Sequence, residues 1–179
     1  MKIEQINKYI SRAYSNACNH GFHDKKLSEE HCLMLIQCEI AEAVEADRKG
    51  KEADLVSFDA ANKYYGDFKP AFERYIKDTV ADELADVCIR IFDMCGIYSY
   101  DMRYHYDVDT DLYASRSFCE NCYWLTHILH VINPVSERLY GLLCAVETLC
   151  WLKNIDLQRH IELKMKYNEM RPKLHGKSY

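Results

Sequence analysis

The 179-residue chain is 49% apolar and 28% charged with a formal net charge of −5, enough hydrophobic material for a packed core and too little charge imbalance for a disordered chain. It contains only 6 Gly and 3 Pro, and this scarcity of turn-formers argues against a many-stranded sandwich or barrel, a collagen repeat or a flexible linker. The expectation is an all-α single domain covering residues 1–179.

Location is read from what the sequence lacks. The opening residues Met1-Lys2-Ile3-Glu4-Gln5 show no apolar export signal, and the longest stretch without Asp, Glu, Lys or Arg, Asn121 to Ser136, is shorter than the roughly 20 apolar residues that span a bilayer. Seven of the nine Cys (Cys32, Cys38, Cys88, Cys119, Cys122, Cys144 and Cys150) fall in helical patterns, where Cys usually behaves as a small buried hydrophobe. These features point to a cytoplasmic chain with no membrane partner.

In chain order, apolar residues at spacings of three and four from Ile3 through Ile6, Ile10 and Ala13 predict a helix ending near Asn19, with Gly21 as its stop. Ser28 before Glu29 and Glu30 predicts a capped second helix from about 29 to 49, ended by Gly50. Residues 50 to 69 have no clear period, and Gly66, Asp67 and Pro70 mark a turn. From Ala71 to about Tyr98 the spacing predicts one long helix. The Tyr- and Asp-rich segment 100–113 reads as a loop. A fourth helix starts at Ser115 or Ser117 and reaches about Val131, where Asn133-Pro134 breaks it. A fifth runs from Pro134 to Lys153, and a sixth, capped by Asn154 or Asp156, runs to about Met170 before Arg171-Pro172. The architecture expected is a bundle of five or six helices.

The residues that carry chemistry are two carboxylate pairs, Glu39-Ile-Ala-Glu42 and Glu83-Leu-Ala-Asp86. Residues three apart on a helix share one face, so each pair sits about a turn apart on its own helix. Such pairs are common on solvated surfaces, but here the spacing, the small apolar interior and the strongly apolar helix recur together. If the two helices pack antiparallel, four carboxylates meet and repel one another unless a cation joins them. Oxygen-only ligation suits Mg2+ or Mn2+. Glu45, Asp82 and Asp93 are candidate outer ligands.

The order Glu39-x-x-Glu42 followed by Glu83-x-x-Asp86 resembles the metal motif of the MazG-like all-α nucleoside triphosphate pyrophosphohydrolases, a superfamily that includes dimeric dUTPases, dCTP pyrophosphatases and phosphoribosyl-ATP pyrophosphatases. The stretch from Lys164 through Tyr167, Asn168, Arg171, Pro172 and His175 to Lys177 is similar to the Lys/Asn/Arg-bearing closing segment of the same proteins. Cys38 stands where many relatives have a further Glu, and the gap from Glu42 to Glu83 is longer than in the small members. The resemblance implies Mg2+-dependent hydrolysis of an NTP or dNTP to the monophosphate and pyrophosphate, in control or cleansing of the nucleotide pool, by a homodimer or higher homo-oligomer. It assigns Glu39, Glu42, Glu83 and Asp86 as metal ligands, Glu39 or Glu42 as the base that orients water, and Lys164, Asn168 and Arg171 to the substrate.

Charge segregation agrees with an anionic substrate: residues 159–179 carry a net +4 and the remainder of the chain −9. His160, Lys164, Asn168 and Arg171 form one polar stripe on a helical wheel. The acidic remainder opposes nucleic acid as a partner. A catalytically silent helical protein that binds a metal or nucleotide is the alternative reading. The Cys119/Cys122 and His127/His130 pairs are too far apart along a helix to close a zinc site. Trp124 and Trp151 read as core or dimer surface, and a di-iron bundle lacks its Glu-x-x-His motifs.

Overall fold

Side-chain oxygens of Ser28, Asp54, Thr79, Asp109, Ser117 and Asp156 each accept a backbone N–H at the start of a helix, satisfying donors that the first turn leaves without partners. A computed structural model, which describes residues 1–102, 107–131 and 134–176, places nine α-helices and one short 3-10 turn among the described residues. In order they are α1 (Ile3–Asn19), α2 (Glu29–Arg48), α3 (Leu55–Tyr65), α4 (Phe68–Tyr75), α5 (Val80–Tyr98), α6 (Thr110–Ala114), α7 (Phe118–Ile128), α8 (Val135–Leu152) and α9 (Leu157–Glu169). The all-α expectation holds, and the count exceeds five or six. No strand occurs among the described residues, and no helix there is long and apolar enough to cross a membrane.

The organising element is α5. Val80, Ala81, Leu84, Ala85, Val87, Cys88, Ile91, Phe92, Met94 and Cys95 are all buried; at about 100° per residue they cover roughly half of the helix and seat it in the core, while Asp82, Glu83, Asp86, Arg90 and Asp93 share the other face. Packed around it are α1, α2, α8 and α9. The neighbour α2 runs antiparallel: the Tyr98 hydroxyl donates to the Leu27 carbonyl at one end, and Arg90 reaches Glu39 further along. Helices α1 and α5 approach closely at Gly96, where an added Cβ would lie 2.5 Å from the Tyr14 Cβ. Leu125 and Leu149 join the core, while Tyr123 and Trp151 remain exposed. Cys119 is also exposed, contrary to the buried role expected of it.

Four expectations about the elements are corrected. The helix predicted from Ala71 to Tyr98 is two helices, α4 and α5, separated by Ile76 to Thr79. Asp78 adopts a left-handed conformation (φ 59°). Thr79 then restarts the chain as a cap, its hydroxyl donating to the Ile76 carbonyl and accepting the Asp82 N–H. The apolar period passes through this break because Phe72, Ile76, Val80 and Leu84 keep a spacing of four. The unassigned residues 50–69 contain α3, capped by Asp54 and closed by left-handed Gly66, and the start of α4. These two helices build a small second core of Phe58, Phe68, Ala71, Phe72 and Ile76 that meets α9 through Tyr167. The segment read as a loop before residue 115 includes α6, and the fourth predicted helix ends at Ile128. Residues 103–106, among them Tyr104 and Tyr106, lie outside the described residues, as do Asn133 and Lys177.

Candidate functional site: an acidic cleft beside α5

A cleft of about 220 Å³ opens between α1, α2, α5 and α9. Its wall contains the seven residues that the resemblance assigns to metal and substrate: Glu39, Glu42, Glu83, Asp86, Lys164, Asn168 and Arg171. The antiparallel packing of α2 against α5 brings the two motifs face to face. Glu39, Glu83 and Asp86 each offer an oxygen within 4.8 Å of the others. Glu42 does not join that trio. It lies on the exposed side of α2 and lines the cleft one turn away.

The burial of these acids follows from the helix that carries them. The polar face of α5 packs beneath α2 and α9, so Glu83 is only 5% exposed, and Glu39 on the facing helix is likewise 5% exposed. Burial, reinforced by the nearby Asp86 charge, pushes the Glu83 carboxyl up to about 8. Burial and Asp86 also raise Glu39, against the pull of Arg90. Two cations, a half-buried Arg90 and a buried Lys164, offset part of this charge. Arg90 Nε donates to Glu39 Oε1 at 3.0 Å. Lys164 Nζ stands 2.7 Å from Asp82 Oδ2 and 2.8 Å from Asp86 Oδ2. Burial alone would lower the Lys164 pKa, but Asp86 and Asp82 raise it, so the ammonium keeps its proton.

The sequence expectation gave Lys164 to the substrate; in the structure its side chain is buried and bound to carboxylates. Asn168 is 7% exposed, and its Oδ1 has no hydrogen-bond partner among the described residues, a costly arrangement for a buried amide. The guanidinium of Arg171 lies over the Tyr167 ring. His160, on the same stripe, is buried away from the cleft wall and is pushed down to about 4 by burial.

Of the candidate outer ligands, Asp93 lines the cleft but accepts a hydrogen bond from His23 Nε2 at 2.8 Å when that nitrogen is protonated, and the Tyr14 ring stacks on the same imidazole. Asp82 is fully buried beneath Lys164. Glu45 pairs with Arg48 and Lys49 on an adjoining pocket that shares Glu42, Asp78 and Glu83 with the cleft. Sequence reasoning missed Arg90, Lys77 and Asp78, all on the wall. Arg90 had a signal, since it follows Asp86 by four residues and so shares its face. Lys77 and Asp78 had none, because they reach the cleft only through the break between α4 and α5.

The donor set suits a hard divalent cation. Glu39, Glu83 and Asp86 supply carboxylate oxygens only, and the two that pair with Arg90 or Lys164 each keep a second oxygen outside that bond. No match is found among protein-family models, curated proteins or solved structures.

Proposed function

We propose that this protein is a Mg2+-dependent nucleoside triphosphate pyrophosphohydrolase of the MazG-like kind, converting an NTP or dNTP and water to the monophosphate and pyrophosphate. The observation that carries the reading is the shared cleft: three converging carboxylates, Glu39, Glu83 and Asp86, line one cavity with Asn168, Arg171 and Lys77, whose ammonium also donates to Asp78 at 2.7 Å. A carboxylate cluster beside cationic and amide donors is the arrangement that hydrolysis of a polyphosphate needs, because the attacking water and the anionic phosphates want opposite environments. Mn2+ is chemically admissible in place of Mg2+.

When bound, the divalent ion would polarise the phosphoryl oxygens and lower the pKa of a coordinated water. Glu39, Glu83 and Asp86 would hold it. Glu42, on the cleft wall without a place in the converging trio, is the better candidate to accept the proton of the attacking water, and Glu39 is better occupied by Arg90. Asn168 offers an amide, and Arg171 and Lys77 offer donors, to the phosphate chain. No covalent nucleophile is required. The resemblance extends the proposal to a homodimer or higher homo-oligomer, which light scattering tests, and the cysteine usage extends it to a cytoplasmic chain.

Replacing Glu39 or Asp86 by Ala should abolish pyrophosphate release while the far-ultraviolet circular dichroism stays nearly unchanged; turnover near the wild-type level would contradict the assignment. A second reading is favoured by one observation, that Arg90 and Lys164 already satisfy Glu39 and Asp86. On that reading the chain is a catalytically silent metal- or nucleotide-binding module. Thermal melts read beside turnover separate the two, since a ligand of the native state raises its stability. Stabilisation by Mg2+ with a non-hydrolysable nucleotide, together with pyrophosphate release from the hydrolysable one, supports the enzyme; the same stabilisation without turnover favours the silent binding module.

A further inference from the structure

Lys164 is shared between two acids of different standing. Asp86 belongs to the trio whose oxygens converge within 4.8 Å. Asp82 does not, and is fully buried. Asp82 Oδ2 accepts both the Lys164 ammonium at 2.7 Å and the Asp78 N–H at 3.0 Å, so it is anchored to the left-handed turn independently of the cleft. Its other oxygen, Oδ1, is buried with no partner among the described residues.

We propose that Lys164 is the resident counter-ion of the acidic cleft, competing with a divalent cation for Asp86, and that Asp82 is the positioning residue that keeps the ammonium in place when the cation takes Asp86. This rests on the cation-binding reading above.

The chemistry of the two basic groups explains why Lys164 rather than Arg90 takes this role. Arg90 is held through Nε, within a rigid planar group, whereas an ammonium is a point charge on a flexible stem with three donors. It can give up Asp86, retain Asp82 and keep a donor for an anion entering the cleft. Two cations beside one carboxylate repel each other, so cation arrival and release of the Lys164 donor are coupled in both directions. The cleft is thereby spared an uncompensated acidic cluster before the cation binds.

The test is Mn2+ binding without nucleotide, followed by the electron paramagnetic resonance of the free ion, for the wild type, Lys164→Gln and Asp82→Asn, with folding checked by circular dichroism. Removing the competing ammonium should tighten Mn2+ by about tenfold or more. Removing the Asp82 charge should drive Lys164 onto Asp86 and weaken Mn2+. Equal affinities in the three proteins, or shifts in the same direction, would overturn the proposal while leaving a cation site in place. Absence of Mn2+ binding by the wild type would instead remove the cation-binding reading itself. Should either variant fail to fold, the wild type decides: the Lys164 ammonium resonance in 15N spectra should shift on adding Mg2+, and a resonance that stays fixed while Mg2+ binds contradicts the competition.

Discussion

His160 has its imidazole buried at 3% exposure on α9, and Nδ1 has no hydrogen-bond partner among the described residues. Burial lowers its pKa from 6.5 to about 4, with Asp156 opposing. Between those values the unfolded chain binds a proton that the folded chain refuses, so stability rises with pH across the window and is lost as pH falls from 6.5 towards 4. The loss approaches about 3 kcal/mol. Urea midpoints at pH 7.5 and pH 5 should show that His160→Gln loses less stability on acidification than the wild type, by about 2 kcal/mol; an equal loss in both would show that His160 does not titrate this way. The same stripe illustrates what the sequence can and cannot tell. Periodicity places His160, Lys164, Asn168 and Arg171 on one face, yet only the packing of the helices decides that the last three line the cleft and His160 does not.

Among the elements, the contact of α1 with α5 depends on Gly96. An alanine there is the better helix former by about 1 kcal/mol, but its Cβ would sit 2.5 Å from the Cβ of Tyr14, an atom that moves only with its helix. Gly96→Ala should therefore destabilise the fold by about 1–3 kcal/mol, read as a lower urea midpoint; a raised midpoint would show that the helices separate freely. The satellite formed by α3 and α4 gives a second test. Phe72 is fully buried and stacks on Tyr167 with ring centroids 4.5 Å apart. Phe72→Ala should cost about 3–5 kcal/mol, and hydrogen exchange should quicken in 55–75 before it does in α5. Uniform loss of protection across both would contradict a separate satellite core.

These elements differed in how legibly the sequence encoded them. Helices α1, α2, α8 and α9 were readable because each joins an apolar face to an end signal, such as Ser28 or Asp156. The boundary between α4 and α5 was not, since the four-residue apolar spacing runs on through Ile76. It is set instead by the Thr79 hydroxyl, the Asp82 carboxylate and the left-handed Asp78, interactions that leave no period. For α3, the large apolar residues Val56, Tyr64 and Tyr65 are exposed and only Phe58 is buried, so the apolar residues in its sequence do not mark one face.

At the scale of the whole molecule, one central helix carries both the main core and the candidate site. The polar face of α5, covered by α2 and α9, holds Glu83 in the interior and Asp86 at its margin, and the antiparallel α2 meets them with Glu39. The four motif carboxylates were legible in the sequence through their matched spacing, but their unequal roles were not. Three converge, while Glu42 stays exposed on the wall. Of the two cations that compensate the cluster, Arg90 shares the face of Asp86 and was missed, while Lys164 was named from the sequence for the substrate, and only the fold shows it paired with Asp82 and Asp86.

The most direct measurement is phosphorus NMR of a panel of canonical and altered NTPs and dNTPs incubated with Mg2+, with Glu39→Ala as the control. The account predicts monophosphate and pyrophosphate from at least one nucleotide, lost in the variant. Orthophosphate in place of pyrophosphate, or no turnover of any nucleotide with Mg2+ or Mn2+, would contradict it.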